Sequence, residues 1–336
     1  MLALKVDLTL LLVQAIVSPR TGRCADRPLG DCRRTTASTS IVATDCRGGN
    51  SMTSSIDREA LRRIENLPTL PAVLTQVLRT VSDPNSSALD LGQQILADQS
   101  MSSTILRLVN SAYYGFQRRI SNIHEAIALL GFSTVTDMVL AASVFRQFSG
   151  RRSGFDRGRL WQHAMAVGMA SDRLGKSMGA KGNDSLYSAG LLHDIGKVAL
   201  DWLEPDDYAD MAQRAMDEGH SSIESERVQF TTDHCEVGSV LAARWNLPPT
   251  VVESIRLHHA PEESIEYPKA AWIVSWADAL AYEAGLGAPG NGAAPALLVN
   301  SGDIPGPNTK LQEEVIEELR TAAELIDTLL GALQAA

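Results

Sequence analysis

The chain has 336 residues, 44% of them hydrophobic, and a formal net charge of −10. That length supports one large or two medium globular units with their own cores, and the acidic balance argues against a broad nucleic-acid-binding surface. The first 51 residues stand apart: they hold no Phe, Trp, Tyr, Glu or His, yet three of the four cysteines (Cys24, Cys32 and Cys46).

With seven Lys/Arg against four Asp, this segment is +3 and the remainder −13. Lacking aromatic anchors for a core, residues 1–51 are expected to form a disordered or mis-started extension. The run "LTLLLVQAIVSP" is a poor signal peptide: Lys5 is the only preceding positive charge, Asp7 sits at its edge, and no small-x-small cleavage site follows. It is also too short to span a bilayer. Translation is expected to start at Met52, where "MTSSIDREALRRIENLPTLP" opens a capped helix. Cys235 is then the only cysteine left, which excludes a disulfide framework and suits a reducing cytoplasm. No membrane association is expected.

From residue 56 onward helix follows helix. "LPAVLTQVLRTVSDP" spaces Val73, Val77 and Val81 by four, and Pro84 stops it. "SALDLGQQILADQSMSSTILRLVNSAYYG" reads as two helices broken near Gln99–Ser100. In "SNIHEAIALLG", Ser121 is the expected N-cap, Ile123, Ala126, Ile127 and Leu130 form a stripe, and Gly131 is the C-terminal cap. Ser133 is the expected cap of a helix reaching Phe148. The polar stretch "SGRRSGFDRGR" separates this first lobe (56–150) from a second (151–284).

The second lobe reads as a long helix over 157–178, helices on either side of His193, and one over 208–219. Then comes "TDHCEVGSVLAARWNLPP", with Asp233 and Glu236 in capping-box spacing. A helix opening on Pro248–Pro249 and one through "AAWIVSWADALAYEA" complete it. Residues 285–307 hold six Gly and four Pro, so 285–309 is expected to be a flexible linker. The tail, 310–336, is an amphipathic helix with Leu311, Val315, Leu319, Ala322, Ile326, Leu329 and Leu333 on one face. Such a face also suits oligomerisation.

Polar residues placed where core residues belong carry the chemistry. His163 shares a stripe with Leu160, Val167 and Leu174, and His193 one with Leu186, Ala189 and Gly190. His234 falls in the first turn of its helix, His258–His259 closes another, and Asp278 lies in the last helix of the lobe. Each has a structural alternative: an inward histidine satisfied in the core, a helix C-terminus favouring His258–His259, an Asp278–Arg pair, or a solvated Lys197. Taken together they suit one or two divalent ions (Mn, Fe, Zn or Mg) held by side chains pointing inward from several helices. Two ions sharing Asp194 is an arrangement that activates water for phosphoester hydrolysis, and Lys197 is spaced to hold a phosphate oxygen.

The chain resembles HDOD proteins, the HD-related output domain group of bacterial signalling proteins. The likeness rests on "LPTLPAVLTQVL", "ILADQSMSSTILRLVNSAYYG", "ISNIHEAIALLGFSTV", "LWQHAMAVGMAS", "YSAGLLHDIGKVAL", "DHCEVGSVLAARWNLP" and "LHHAPE", in that order over residues 60–282. It implies an all-α fold, a helical first lobe packed on an HD-type second lobe, and a regulatory output role. Similarity to the HD-GYP phosphodiesterases matches His163 to their first histidine and His193–Asp194 to their HD pair. It matches Lys197 to the following lysine, His234 to their "H-x-x-x-G" element (with Gly238), His258–His259 to their double histidine, and Asp278 to their closing aspartate. Two departures stand out: "APEESIEYP" takes the place of their Gly-rich Tyr-Pro substrate loop, and Arg159 occupies the position of a third-metal Glu.

Three functions follow as expectations. The first is a signalling module acting through protein partners with a retained metal site. The second is a metal-dependent phosphohydrolase or cyclic-dinucleotide phosphodiesterase, in which Lys197 would be catalytic. The third is a sensor that holds a nucleotide or cyclic dinucleotide without cleaving it. No nucleic-acid partner is expected.

Overall fold

The computed structural model describes residues 67–334, apart from 84, 112–113, 149–152, 181–184, 287–289, 296 and 298–303. The extension expected over 1–51 and the helix expected after Met52 lie outside the described residues. Those described all belong to one compact unit. Among them every regular element is helical, so the fold class is all-α.

The first lobe comprises α1 (Ala72–Ser82), α2 (Ala88–Leu96), α3 (Gln99–Val109), α4 (Ile123–Leu130) and α5 (Phe132–Phe148). Local chemistry sets its boundaries. Ser87 and Asp90 form a reciprocal capping box at the start of α2. The break between α2 and α3 falls at Ala97–Asp98, because Asp98 accepts from the Met101 N–H at 2.9 Å and caps α3. The cap of α4 is Asn122, one residue after the expected Ser121; its Oδ1 accepts from the His124 N–H at 2.7 Å. Gly131 ends α4 at φ 87°, a conformation that costs glycine little, and α5 leaves at 120° to α4.

The second lobe comprises α6 (Arg157–Ser177), α7 (Leu186–Leu192), α8 (Ile195–Leu203), α9 (Pro205–Glu218), α10 (Ser222–Phe230), α11 (His234–Arg244), α12 (Pro249–Leu257) and α13 (Pro268–Glu283). Helix α10 is a departure from expectation. Its sequence, "SIESERVQF", has no apolar stripe, and the residues it buries are Ser222 and Glu226. Sequence periodicity therefore passes over it.

Aromatic side chains at the end of α5 join the lobes. The Phe145 ring lies 5.5 Å from Trp161, and Phe148 lies 5.6 Å from Trp202 and 6.2 Å from Trp245. Asp137 on α5 accepts a hydrogen bond from the Ser188 hydroxyl on α7. Arg157, in the polar break between the lobes, ties the start of α6 to both sides. Its Nε pairs with buried Asp201 on α8, and its Nη1 donates to the Phe148 carbonyl at 2.7 Å.

Two glycines allow the helices of the site to approach closely. A Cβ on Gly190 would lie 2.6 Å from the Val167 carbonyl oxygen of α6. A Cβ on Gly196 would lie 1.9 Å from the His234 carbonyl oxygen, so α8 and α11 touch backbone to backbone there. Only glycine permits either contact.

Beyond α13, Leu286 is buried, Asn291 accepts from the Ser222 N–H at 3.1 Å, and the Gly292 N–H donates to the His220 carbonyl at 3.0 Å. Helix α14 (Thr309–Gln334) buries Val315, Leu319, Ala322, Ile326, Leu329 and Leu333. It packs along α6 and also meets α13, α3 and α5. Arg173 holds Glu314 and Glu318 at 3.0 Å each, and Gln162 donates to Asp327 at 2.9 Å. Among the described residues no single helix is long and apolar enough to cross a membrane.

Candidate metal centre

Six helix termini and interiors converge on one buried cluster. α6 supplies His163, the α7–α8 junction His193 and Asp194, α8 Lys197, and α11 His234. His258 and His259 follow α12, and Asp278 comes from α13. None of these side chains except that of His259 belongs to a residue more than 5% exposed.

The donor atoms form a connected network. Asp278 Oδ1 lies 3.0 Å from His163 Nε2 and 3.9 Å from His193 Nε2. Asp194 faces both sides: its Oδ2 is 3.4 Å from His193 Nε2, while its Oδ1 is 3.3 Å from His234 Nε2 and 3.7 Å from His258 Nε2. His234 Nε2 is 3.4 Å from His258 Nε2 and 3.2 Å from His259 Nε2. Donors bonded to one ion at about 2.0–2.2 Å stand roughly 3–3.6 Å apart, so most of these separations match the edges of a coordination shell.

Four rings are held in one orientation. His193 Nδ1 donates to the Gly190 carbonyl at 2.7 Å, His258 Nδ1 to the Ile255 carbonyl at 2.9 Å, and His163 Nδ1 to the Leu286 carbonyl at 3.2 Å. His234 Nδ1 donates to Glu226 Oε2 at 2.6 Å. Carbonyl and carboxylate oxygens only accept, so each Nδ1 carries a proton and each Nε2 is the nitrogen turned inward, a lone-pair donor whenever the ring is neutral. Outer partners of this type orient metal-bound histidines.

Lone pairs and carboxylate oxygens facing one another repel unless a cation lies between them. Asp194, Asp278 and Glu226 are buried with Lys197 as the ammonium of the cluster, whose Nζ is 2.8 Å from Asp194 Oδ2. Three carboxylates against one ammonium leave two negative charges, which one divalent ion neutralises. His193 Nε2 and Asp194 Oδ1 are buried without a hydrogen-bond partner, although both face the cluster. A divalent cation therefore fits the residues present. Groups of His, Asp and Cys here could hold a metal: His163, His193 and Asp278; His193, Asp194 and His258; and His234, Cys235, His258 and His259.

Electrostatics separates the groups. Burial opposes ionisation of Asp194, yet Lys197 and His193 hold its carboxyl well below the usual range. Burial likewise opposes ionisation of Asp278, but the adjacent His163 and His193 imidazoles hold its carboxyl below the usual range. Burial, reinforced by neighbouring imidazoles, depresses His258 far below the ordinary histidine value and His259 to about 3. Both stay unprotonated at neutral pH, the form that binds metal.

Sequence reasoning passed over two members of the site, Glu226 and Cys235. Glu226 is fully buried on α10, where it also accepts from the His234 backbone N–H at 2.8 Å and from Tyr208 Oη at 2.9 Å. Periodicity offered no route to Glu226, because α10 has no apolar face. Cys235 was legible as a cysteine beside His234, but its approach to His258 depends on how α11 and α12 cross. Arg159 is exposed on α6, and its N–H donates to the Asp156 cap. The segment after His259 is a short 3-10 turn (Pro261–Glu263), anchored where the Tyr267 N–H and the Ser264 hydroxyl reach Glu253 Oε1.

Residues 67–261, more than half of the chain, match the HDOD domain family. The chain belongs to the HDOD family. An uncharacterized protein of Treponema pallidum (strain Nichols) is 30% identical over 207 residues. That alignment takes in 60% of this HDOD chain but only 40% of the relative's length. Among solved structures, an HDOD domain protein of unknown function from Geobacter sulfurreducens superposes with a TM-score of 0.64 at 24% identity. It covers 83% of this chain and 95% of its own. A candidate signal transduction protein from Marinobacter aquaeolei VT8 gives 0.65 at 20% identity, over 84% of this chain and 67% of its own. At these identities the likeness establishes the shared HDOD fold.

Proposed function

We propose that this HDOD chain is a regulatory output module that acts through protein partners and retains a divalent-metal site whose role is structural rather than catalytic. The observation that carries this reading is the closure of the cluster. Its ligand side chains are buried apart from His259, and Lys197, the group spaced to take a phosphate oxygen, is spent on Asp194. Structural metal sites are closed by protein ligands, whereas catalytic sites keep a position open to water or substrate. The first lobe supports partner binding. It supplies none of the candidate ligands, yet it exposes Leu89 (57%), Leu96 (50%) and Leu129 (48%). A cleft of about 780 Å³, lined in part by Gln76, Asp98, Gln99, Ser103 and Arg107, also opens on that lobe.

A second reading, a metal-dependent phosphohydrolase, is favoured by one specific observation. Asp194 presents its two oxygens to two different groups of imidazoles, the position of a carboxylate shared between two ions. The deciding experiment assays cyclic di-GMP, linear dinucleotides and nucleoside mono- and triphosphates with Mn, Fe and Mg, alongside Asp194→Ala. The structural reading expects metal in the purified protein and no metal-dependent turnover. Turnover of about 1 per second or faster, within the ordinary enzymatic range and lost in Asp194→Ala, overturns it.

A further inference from the structure

We infer that Cys235 is a thiolate ligand of a second metal position, chemically distinct from the one built by His163, His193 and Asp278. This deepens the metal-binding reading above and rests on it. Cys235 is 4% exposed and occupies the first turn of α11 directly after His234. Its Sγ lies 3.9 Å from His258 Nδ1 and 4.0 Å from His258 Nε2. One ligand atom from each of His234, Cys235, His258 and His259 lies within 4.8 Å of all the others.

Around a tetrahedral ion with Zn–N of about 2.0–2.1 Å and Zn–S of about 2.3 Å, nitrogens stand roughly 3.4 Å apart and nitrogen and sulfur roughly 3.6 Å apart. The His234–His258 and His234–His259 separations, 3.4 and 3.2 Å, already meet the first value. Toward His258 Nε2 the sulfur, at 4.0 Å, meets the second after closing by a few tenths of an ångström, and it lies within 4.8 Å of the donors of His234 and His259. Two neighbours explain why the nitrogens point this way: Glu226 holds His234 Nδ1, and the Ile255 carbonyl holds His258 Nδ1. The His259 Nε2 turns onto His234 Nε2 at 3.2 Å.

Metal entry exchanges an S–H bond for an S–metal bond and releases the thiol proton to solvent; no electron is transferred. The thiolate adds a negative charge to a cluster that two divalent ions would otherwise leave with an excess of two positive charges. It also divides the metal preference. Three imidazoles and a thiolate favour Zn, Co or Fe(II), while His163, His193, Asp194 and Asp278 offer two nitrogens and carboxylate oxygens that also accept Mn. The two positions thus take ions of different softness, with Asp194 between them.

The test is a cobalt(II) titration of the full chain, with Cys235→Ser and Cys235→Ala measured in parallel. Expected is a near-ultraviolet sulfur-to-cobalt charge-transfer band from one of two bound equivalents. It should be lost in both variants while the visible bands of the other equivalent persist. Zinc retention against a chelator should fall at least tenfold for one equivalent only. X-ray absorption of the zinc-loaded wild type should show a sulfur scatterer at about 2.3 Å, a readout independent of how the variants fold. Cobalt binding without the band, or with a band unchanged in Cys235→Ser and so owed to Cys24, Cys32 or Cys46, overturns the inference and leaves the metal reading standing. Failure to bind any cobalt or zinc overturns both.

Discussion

Glu226 Oε2 lies 2.6 Å from His234 Nδ1 and 2.8 Å from the same residue's backbone nitrogen, so one carboxylate oxygen fixes both the ring and the helix start. Its other oxygen is held by Tyr208 Oη at 2.9 Å. The arrangement determines which nitrogen of His234 faces the centre. It also makes α10, a helix without an apolar face, part of the site.

Removing this support should weaken metal binding without removing a ligand. Glu226→Ala is expected to lower divalent-ion affinity by about 10–100-fold, the usual effect of losing a partner of this type. Glu226→Gln, which keeps one acceptor oxygen, should fall between it and the wild type. Competition against a metal indicator reads both, and an unchanged affinity in Glu226→Ala would show that His234 needs no such orientation.

Asp194→Ala should release metal and also destabilise the metal-free protein. It strands the Lys197 ammonium in the interior, and breaking a buried pair from one side costs about 3–5 kcal/mol. The double variant Asp194→Ala/Lys197→Met should recover part of that loss. Urea denaturation of the four proteins in chelator gives the coupling, and full additivity would contradict the pairing.

Gly196→Ala is the smallest change expected to dismantle the centre. The added methyl would meet the His234 carbonyl at 1.9 Å, so α8 and α11 must separate, carrying Asp194 away from His234. Stability should fall by about 1–3 kcal/mol or more, as in other overpacked sites, with metal affinity falling in parallel. Gly131→Ala, in open space, is the control. It carries only the cost of a positive φ and should leave metal content unchanged.

The contact between Asp137 and Ser188 predicts a pH dependence. Burial pushes the Asp137 carboxyl up from 3.8 to about 7, against the opposing Ser188 hydrogen bond. Between about pH 4 and 7 the folded chain holds this proton and the unfolded chain does not, so its contribution to stability falls as pH rises through that window. Asp137→Asn, which keeps the hydrogen bond and removes the ionisation, should therefore gain stability relative to the wild type at pH 8 but not at pH 4. Thermal melts at the two pH values test it, and an equal shift at both would count against an ionisation effect.

Much of this protein is decided locally. Capping residues such as Ser87, Asp98 and Asp233, the positive-φ Gly131 and the regular apolar spacing of α14 set the helices within a residue or two, because caps and periodicity act over a single turn or stripe. The candidate ligands were legible for the same reason: His163 and His193 are polar side chains at positions where the helical repeat demands apolar ones. Tertiary packing decided what sequence spacing does not encode. Helix α10 exists because α9 and α11 bury Glu226, not because it carries an apolar face. The backbone contact at Gly196 sets the distance from His234 to Asp194. Lys197 pairs with Asp194 one helical turn before it, as the i, i+3 spacing allows, but only packing buries that pair and so closes the centre.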